Sequence, residues 1–94
     1  MNRLVLSGSL VRRGALRYTP AGLPAVDFEL QHESSVVQDG QERKVSMSLK
    51  ALAIGSIVPS VAGLALGAPA VFDGFLAASR NGRGLLYHVT EVRA

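Results

Sequence analysis

Apolar and polar residues alternate along much of this chain with a period of two, the mark of β-strands with one buried and one solvated face. The pattern is sharpest from Val26 to Glu33. Val26, Phe28, Leu30 and His32 share one face; Asp27, Glu29, Gln31 and Glu33 share the other. Upstream, Leu4, Leu6, Gly8 and Leu10 have one parity and predict a first strand from Asn2 to Arg12. Gly8 within it marks a bend or bulge, as a small barrel needs at a corner. The segment from Arg12 to Leu23 reads as a loop, with Gly14, Pro20 and Gly22, and Pro24 just beyond. Asp39-Gly40 marks a turn after the second strand. A third strand then places Val45, Met47, Leu49 and Ala51 inward and Lys44, Ser46, Ser48 and Lys50 outward. If that turn closes a hairpin, Glu33 is expected opposite Lys44 and Asp27 opposite Lys50. A fourth strand is predicted from Ala68 to Ala78, Asn81-Gly82 is a hairpin signal, and a fifth strand covers Leu85 to Val92.

The stretch from Ala51 to Phe72 carries no charged residue and has the length of a membrane helix. Gly55, Pro59, Gly63, Gly67 and Pro69 break it, so it reads as a strand end, a loop with one short helix, and a strand start. No membrane span is expected. The fold class is therefore all-β: a five-stranded Greek-key barrel of the OB type, with a short helical or loop insertion between strands 3 and 4. One domain is expected over residues 1–94. Closure removes the sheet edges that such apolar strands would otherwise expose.

Composition narrows the function. With 94 residues, 48% of them hydrophobic and 18% charged, the chain can close one modest core, and pairing with a second copy would extend it. There are no cysteines, so thiolate metal sites and disulfides are excluded, in keeping with a cytoplasmic protein. Leu4-Val5-Leu6 is too short for a signal-peptide core. A formal charge of +3 and an isoelectric point of about 10.0 permit binding of a polyanion. The two histidines, His32 and His88, stand singly in strands, where a metal site needs several converging ligands. No phosphate loop, nucleophile elbow or dinucleotide fingerprint is present. Neither an enzyme nor a cofactor is indicated.

Basic residues form three clusters. Arg12, Arg13 and Arg17 accompany Tyr18 in the loop after strand 1, where cations could hold a phosphate and the phenol stack a base. Arg43, Lys44 and Lys50 accompany Ser46 and Ser48 on strand 3. Arg80-Asn81-Gly82-Arg83-Gly84 places two guanidinium groups on a turn. Each has a plainer reading: a solvated loop, an ion-paired strand face, and an Asn-Gly turn kept soluble by arginine. In an OB-fold the face of strands 2 and 3 and the loops after strands 1 and 4 line one binding surface. That brings the clusters together as a candidate site for single-stranded nucleic acid.

Several segments resemble the primosomal replication protein N (PriB) family. They are Asn2-Arg3-Leu4-Val5-Leu6-Ser7-Gly8, Leu16-Arg17, Pro20-Ala21-Gly22-Leu23-Pro24, Phe28-Glu29-Leu30-Gln31-His32, Gly74-Phe75 and His88. The resemblance implies a homodimer of OB-folds without catalytic activity. It implies binding of single-stranded DNA, and of the primosomal helicase PriA and a loading protein in replication restart. Arg43 matches a basic binding position of strand 3, with Lys44 beside it. Arg80 falls in the family's lysine-bearing loop, with Arg83 nearby. Two positions depart: Ser46 stands where a well-known member of the family exposes a stacking aromatic on strand 3, and Glu33 stands at a basic position at the end of strand 2. With no tryptophan and 5% aromatics, and with Phe28 and one or both of Phe72 and Phe75 expected in the core, the face keeps charge and loses its stacking group. A generic single-strand binder and a protein–protein adaptor are the alternatives.

Overall fold

The protein is described here from a computed structural model covering residues 1–93. Its strands are β1 (Leu4–Arg13), β2 (Arg17–Tyr18), β3 (Pro24–Gln38), β4 (Gln41–Ile54), β5 (Pro69–Ala78) and β6 (Leu85–Arg93). A 3-10 turn (Gly55–Ile57) and helix α1 (Val58–Ala62) lie between β4 and β5. The sheet runs β1-β5-β6-β4-β3, and β1 pairs again with β3, closing the barrel. β4 and β6 pair in parallel, whereas the other ladders are antiparallel. This is the five-stranded OB barrel expected, with β3 to β6 as its second to fifth strands. The two-residue β2 adds to the edge of β3.

The uncharged stretch resolves as a strand end, one short helix and a strand start, and no helix among the described residues is long and apolar enough to cross a membrane. Val58 and Val61 of α1 are buried against the barrel residues Leu10, Val26, Phe28, Leu30, Ala51, Phe72, Tyr87 and Val89. The helix thus plugs one end of the barrel.

At Gly8 and Ser9 the first strand changes partner. Leu4 to Ser9 pair with β5, and Ser9 to Arg13 pair with β3. A Cβ on Gly8 would sit 2.9 Å from the Gln31 carbonyl oxygen, so the corner needs a residue without one. A register shift follows between Leu10 and Arg12. β1 extends one residue past Arg12, and Arg17-Tyr18 is strand rather than loop, because backbone pairing with β3 continues where the side-chain pattern gives out.

The β3–β4 hairpin turns on Asp39 (φ 51°) and Gly40 (φ 75°), the left-handed pair that a two-residue hairpin favours. That turn fixes Gln38 opposite Gln41, hence Glu29 opposite Lys50, Glu33 opposite Ser46 and Ser35 opposite Lys44. The expected Glu33–Lys44 and Asp27–Lys50 pairs are therefore two residues out of register. Each face survives the error because side chains repeat every two residues. The inward face is buried only within the barrel. Ala51 is covered, whereas on the same face Met47 is 37% and Val36 46% exposed. The distal half of the hairpin is an arm without a core beneath it.

Candidate nucleic-acid interface

Three strands bring the first group together. Arg12 of β1 lies opposite Glu29 of β3, which lies opposite Lys50 of β4. They form one row across the outer face. The cleft there is lined by Arg12, Gly14, Asp27, Glu29, Lys50 and Leu86, among others. Glu29 moderates the row, but among the described residues no carboxylate oxygen comes within 4.0 Å of Arg12 or Lys50.

Arg13 and Arg17 are otherwise engaged. Arg13 Nη1 donates to the carbonyls of Val61 (3.3 Å) and Leu64 (2.7 Å), holding the end of α1 against the barrel. Arg17 grips Asp27 through two nitrogens, at 3.1 and 3.3 Å, an exposed ion pair. The sequence cluster of Arg12, Arg13 and Arg17 therefore leaves Arg12 as its one cation without a protein partner among the described residues. Tyr18 stands 67% exposed on β2.

On β4, Lys44, Ser46, Ser48 and Lys50 share the outward face. Gln31 Nε2 donates to Ser46 Oγ (3.2 Å), and Ser48 Oγ donates to Gln31 Oε1 (2.9 Å). Arg43 does not share that face. It lies opposite Val36, on the side of Val45 and Met47, because adjacent residues of a strand point to opposite sides. On the free arm both sides are open, so Arg43 and Lys44 project as a fork.

The β5–β6 connection is a six-residue loop rather than a tight Asn-Gly turn. Ser79 N donates to Gly84 O (3.1 Å), Gly82 N to Ser79 O (2.9 Å), and Arg83 N to Asn81 Oδ1 (2.9 Å). The loop is bonded to itself and leaves the Arg80 and Arg83 guanidinium groups exposed.

Among the aromatics, Phe28 and Phe72 are core, with ring centroids 6.3 Å apart. Phe75 is 39% exposed and stacks on His88, centroids 4.7 Å apart and planes within 8°. The signal for this lay in the sequence: Phe72 and Phe75 are an odd number of residues apart and face opposite sides. His32 is held inside, Nδ1 2.6 Å from Ser7 O and Nε2 2.9 Å from Ser34 Oγ. No group of three or more metal-ligating side chains converges among the described residues.

Comparison with known proteins agrees with this geometry. The profile described as "Another single-strand binding protein family" matches residues 2–91. The Replication restart protein PriB of Bordetella pertussis is 44% identical over 81 residues, covering 86% of this chain and 76% of that protein. The PriB structure from Ralstonia solanacearum superposes with a TM-score of 0.90 at 33% identity, covering 99% of this chain and 96% of that one. The SSB domain of a Synechococcus protein shares the fold, with a TM-score of 0.73 at 20% identity, covering 100% of this chain and 96% of that one.

Proposed function

This chain belongs to the PriB family of replication restart proteins, and on that footing we propose that it binds single-stranded DNA and scaffolds the primosomal helicase PriA and a loading protein. The observation that carries the reading is a set of exposed cations without protein partners among the described residues: Arg12 and Lys50 in the cleft, Arg80 and Arg83 on the β5–β6 loop, and Arg43 and Lys44 on the arm. Cations of this kind hold a phosphate backbone and are indifferent to base sequence. Its role is binding and positioning rather than catalysis.

The protein is taken to act as a homodimer. β1 is not an edge strand, as it lies between β5 and β3. Past Ser9, however, its β5-facing side has no strand partner among the described residues, and Val11 there is 46% exposed. A two-fold pairing of β1 with its copy would cover that segment, and sedimentation as a monomer at micromolar concentration would refute it.

An adaptor that works mainly through protein contacts is the second reading. Ser46 in place of a stacking aromatic, and Glu29 and Glu33 on the outward face, favour it. Titration of labelled single-stranded DNA at two salt concentrations, with and without the helicase, separates the two. Salt-sensitive binding by the protein alone supports the DNA-binding reading. Binding seen only with the helicase supports the adaptor.

A further inference from the structure

The stacked pair Phe75–His88 lies outside every basic cluster, and the fold gives it no core to fill. Phe75 and His88 are directly opposite on β5 and β6, and His88 is opposite Leu52 on β4. The next row of the same outer face holds Ala77, Leu86 and Lys50, followed by Glu29 and Arg12. Strands are spaced about 4.8 Å apart and same-face residues about 7 Å along a strand. The aromatic pair therefore adjoins the cationic cleft, roughly 10 Å from its Lys50 side. The imidazole covers one side of the phenyl ring, and 39% of Phe75 remains open to solvent.

We infer that Phe75, backed by His88, is a base-stacking platform for single-stranded DNA whose phosphates lie along Lys50 and Arg12. The inference rests on the DNA-binding reading above. It relocates the stacking group that Ser46 lacks from the hairpin side of the barrel to the β5–β6 side. A base laid on Phe75 would extend an existing two-ring stack. The ring is already oriented by its neighbour, so little ordering is needed on binding. Contacts of this kind are indifferent to base identity, since every base presents a π-face.

The test compares a labelled thymidine oligonucleotide with an abasic oligonucleotide of equal length, which offers the same phosphates without bases. The parent is expected to prefer the thymidine strand. Phe75→Leu should weaken thymidine binding about five- to ten-fold and leave abasic binding unchanged, and Phe75→Tyr should retain the parent's preference. In the parent, the Phe75 ring protons should shift upfield on adding the thymidine strand and not on adding the abasic one, a measurement independent of any variant's folding. Equal thymidine binding by Phe75→Leu and parent overturns the platform and leaves DNA binding intact. So does an equal loss on both strands, or a changed sedimentation coefficient with unchanged binding, which would make the pair a contact between copies. Failure of the parent to bind either strand overturns the DNA-binding reading itself.

Discussion

Tyr87 is fully buried, and its hydroxyl donates to the Leu4 carbonyl at 2.7 Å. Burial, with the nearby Asp73 charge, pushes its pKa up to about 12, against about 10 for a free tyrosine. A raised folded pKa means that this stability is fully present below pH 10 and is lost as pH rises through about 12. Melting midpoints should fall across that window in the parent. Tyr87→Phe should flatten the fall while costing about 1 kcal/mol at neutral pH, because the Leu4 carbonyl loses its partner. The acid side works in reverse. Arg3 bonds both oxygens of Asp73, at 3.1 and 2.5 Å, and that bond holds the carboxyl below the usual carboxylate range. Its contribution is present above ordinary carboxylate pKa values and lost as pH falls through the lowered one. Ser46 offers a different test. It faces outward opposite Glu33, so Ser46→Trp fills no core space and should leave the melting midpoint nearly unchanged. If DNA runs along the hairpin as well as the cleft, it should bind several-fold tighter, since base–aromatic stacking is worth roughly 1–3 kcal/mol per base. Unchanged affinity would confine the DNA to the β5–β6 side.

At the level of elements, β5 and β6 depend on one close approach. A Cβ on Gly74 would lie 1.9 Å from the His88 carbonyl oxygen, beside the register shift between Asp73 and Gly74. Gly74→Ala should therefore force the strands apart and cost about 1–3 kcal/mol. It should also disturb the Phe75–His88 stack, which a ring-proton spectrum would report alongside the melting curve. The strands themselves were legible in the sequence wherever one face is buried: Val26 to His32 alternate because the core demands it. Legibility ended where burial did. Val45 and Met47 continue the inward parity of Leu49 and Ala51 but run out along an arm with nothing beneath them. Alternation encodes which side a residue takes, and it does not encode how far the barrel reaches. Arg13 was unreadable for another reason: its carbonyl partners lie 48 and 51 residues away, and only the closed barrel brings α1 to it. The same closure joins Arg12 to Lys50 across Glu29, whereas the alternation of the strand alone separates the sequence-adjacent Arg43 and Lys44.

Over the whole molecule, ten basic residues meet seven acidic ones, and their distribution matters more than the difference. Arg3, Arg17 and Arg93 are spent on Asp73, Asp27 and Glu91, and Arg13 on helix carbonyls. The cations left without protein partners among the described residues are Arg12, Arg43, Lys44, Lys50, Arg80 and Arg83. Arg43 and Lys44 take opposite faces of the arm, so one DNA strand does not meet all six, and about four phosphates are expected to be neutralised per subunit. Each releases a counterion, which for single strands gives a slope of about −0.7 per phosphate in log affinity against log salt, or about −3 in all. Replacing both loop arginines, Arg80→Ala with Arg83→Ala, should bring the slope to about −1.4 if each contacts one phosphate. The melting midpoint should hold, because exposed loop-tip changes usually move stability by less than about 0.5 kcal/mol and the bonds that shape this loop come from Ser79, Asn81 and the backbone. An unchanged slope in the double variant would make the loop a turn and nothing more, and would move the phosphate path to Arg12, Lys50 and the arm. A flat salt response in the parent would remove the phosphate path altogether.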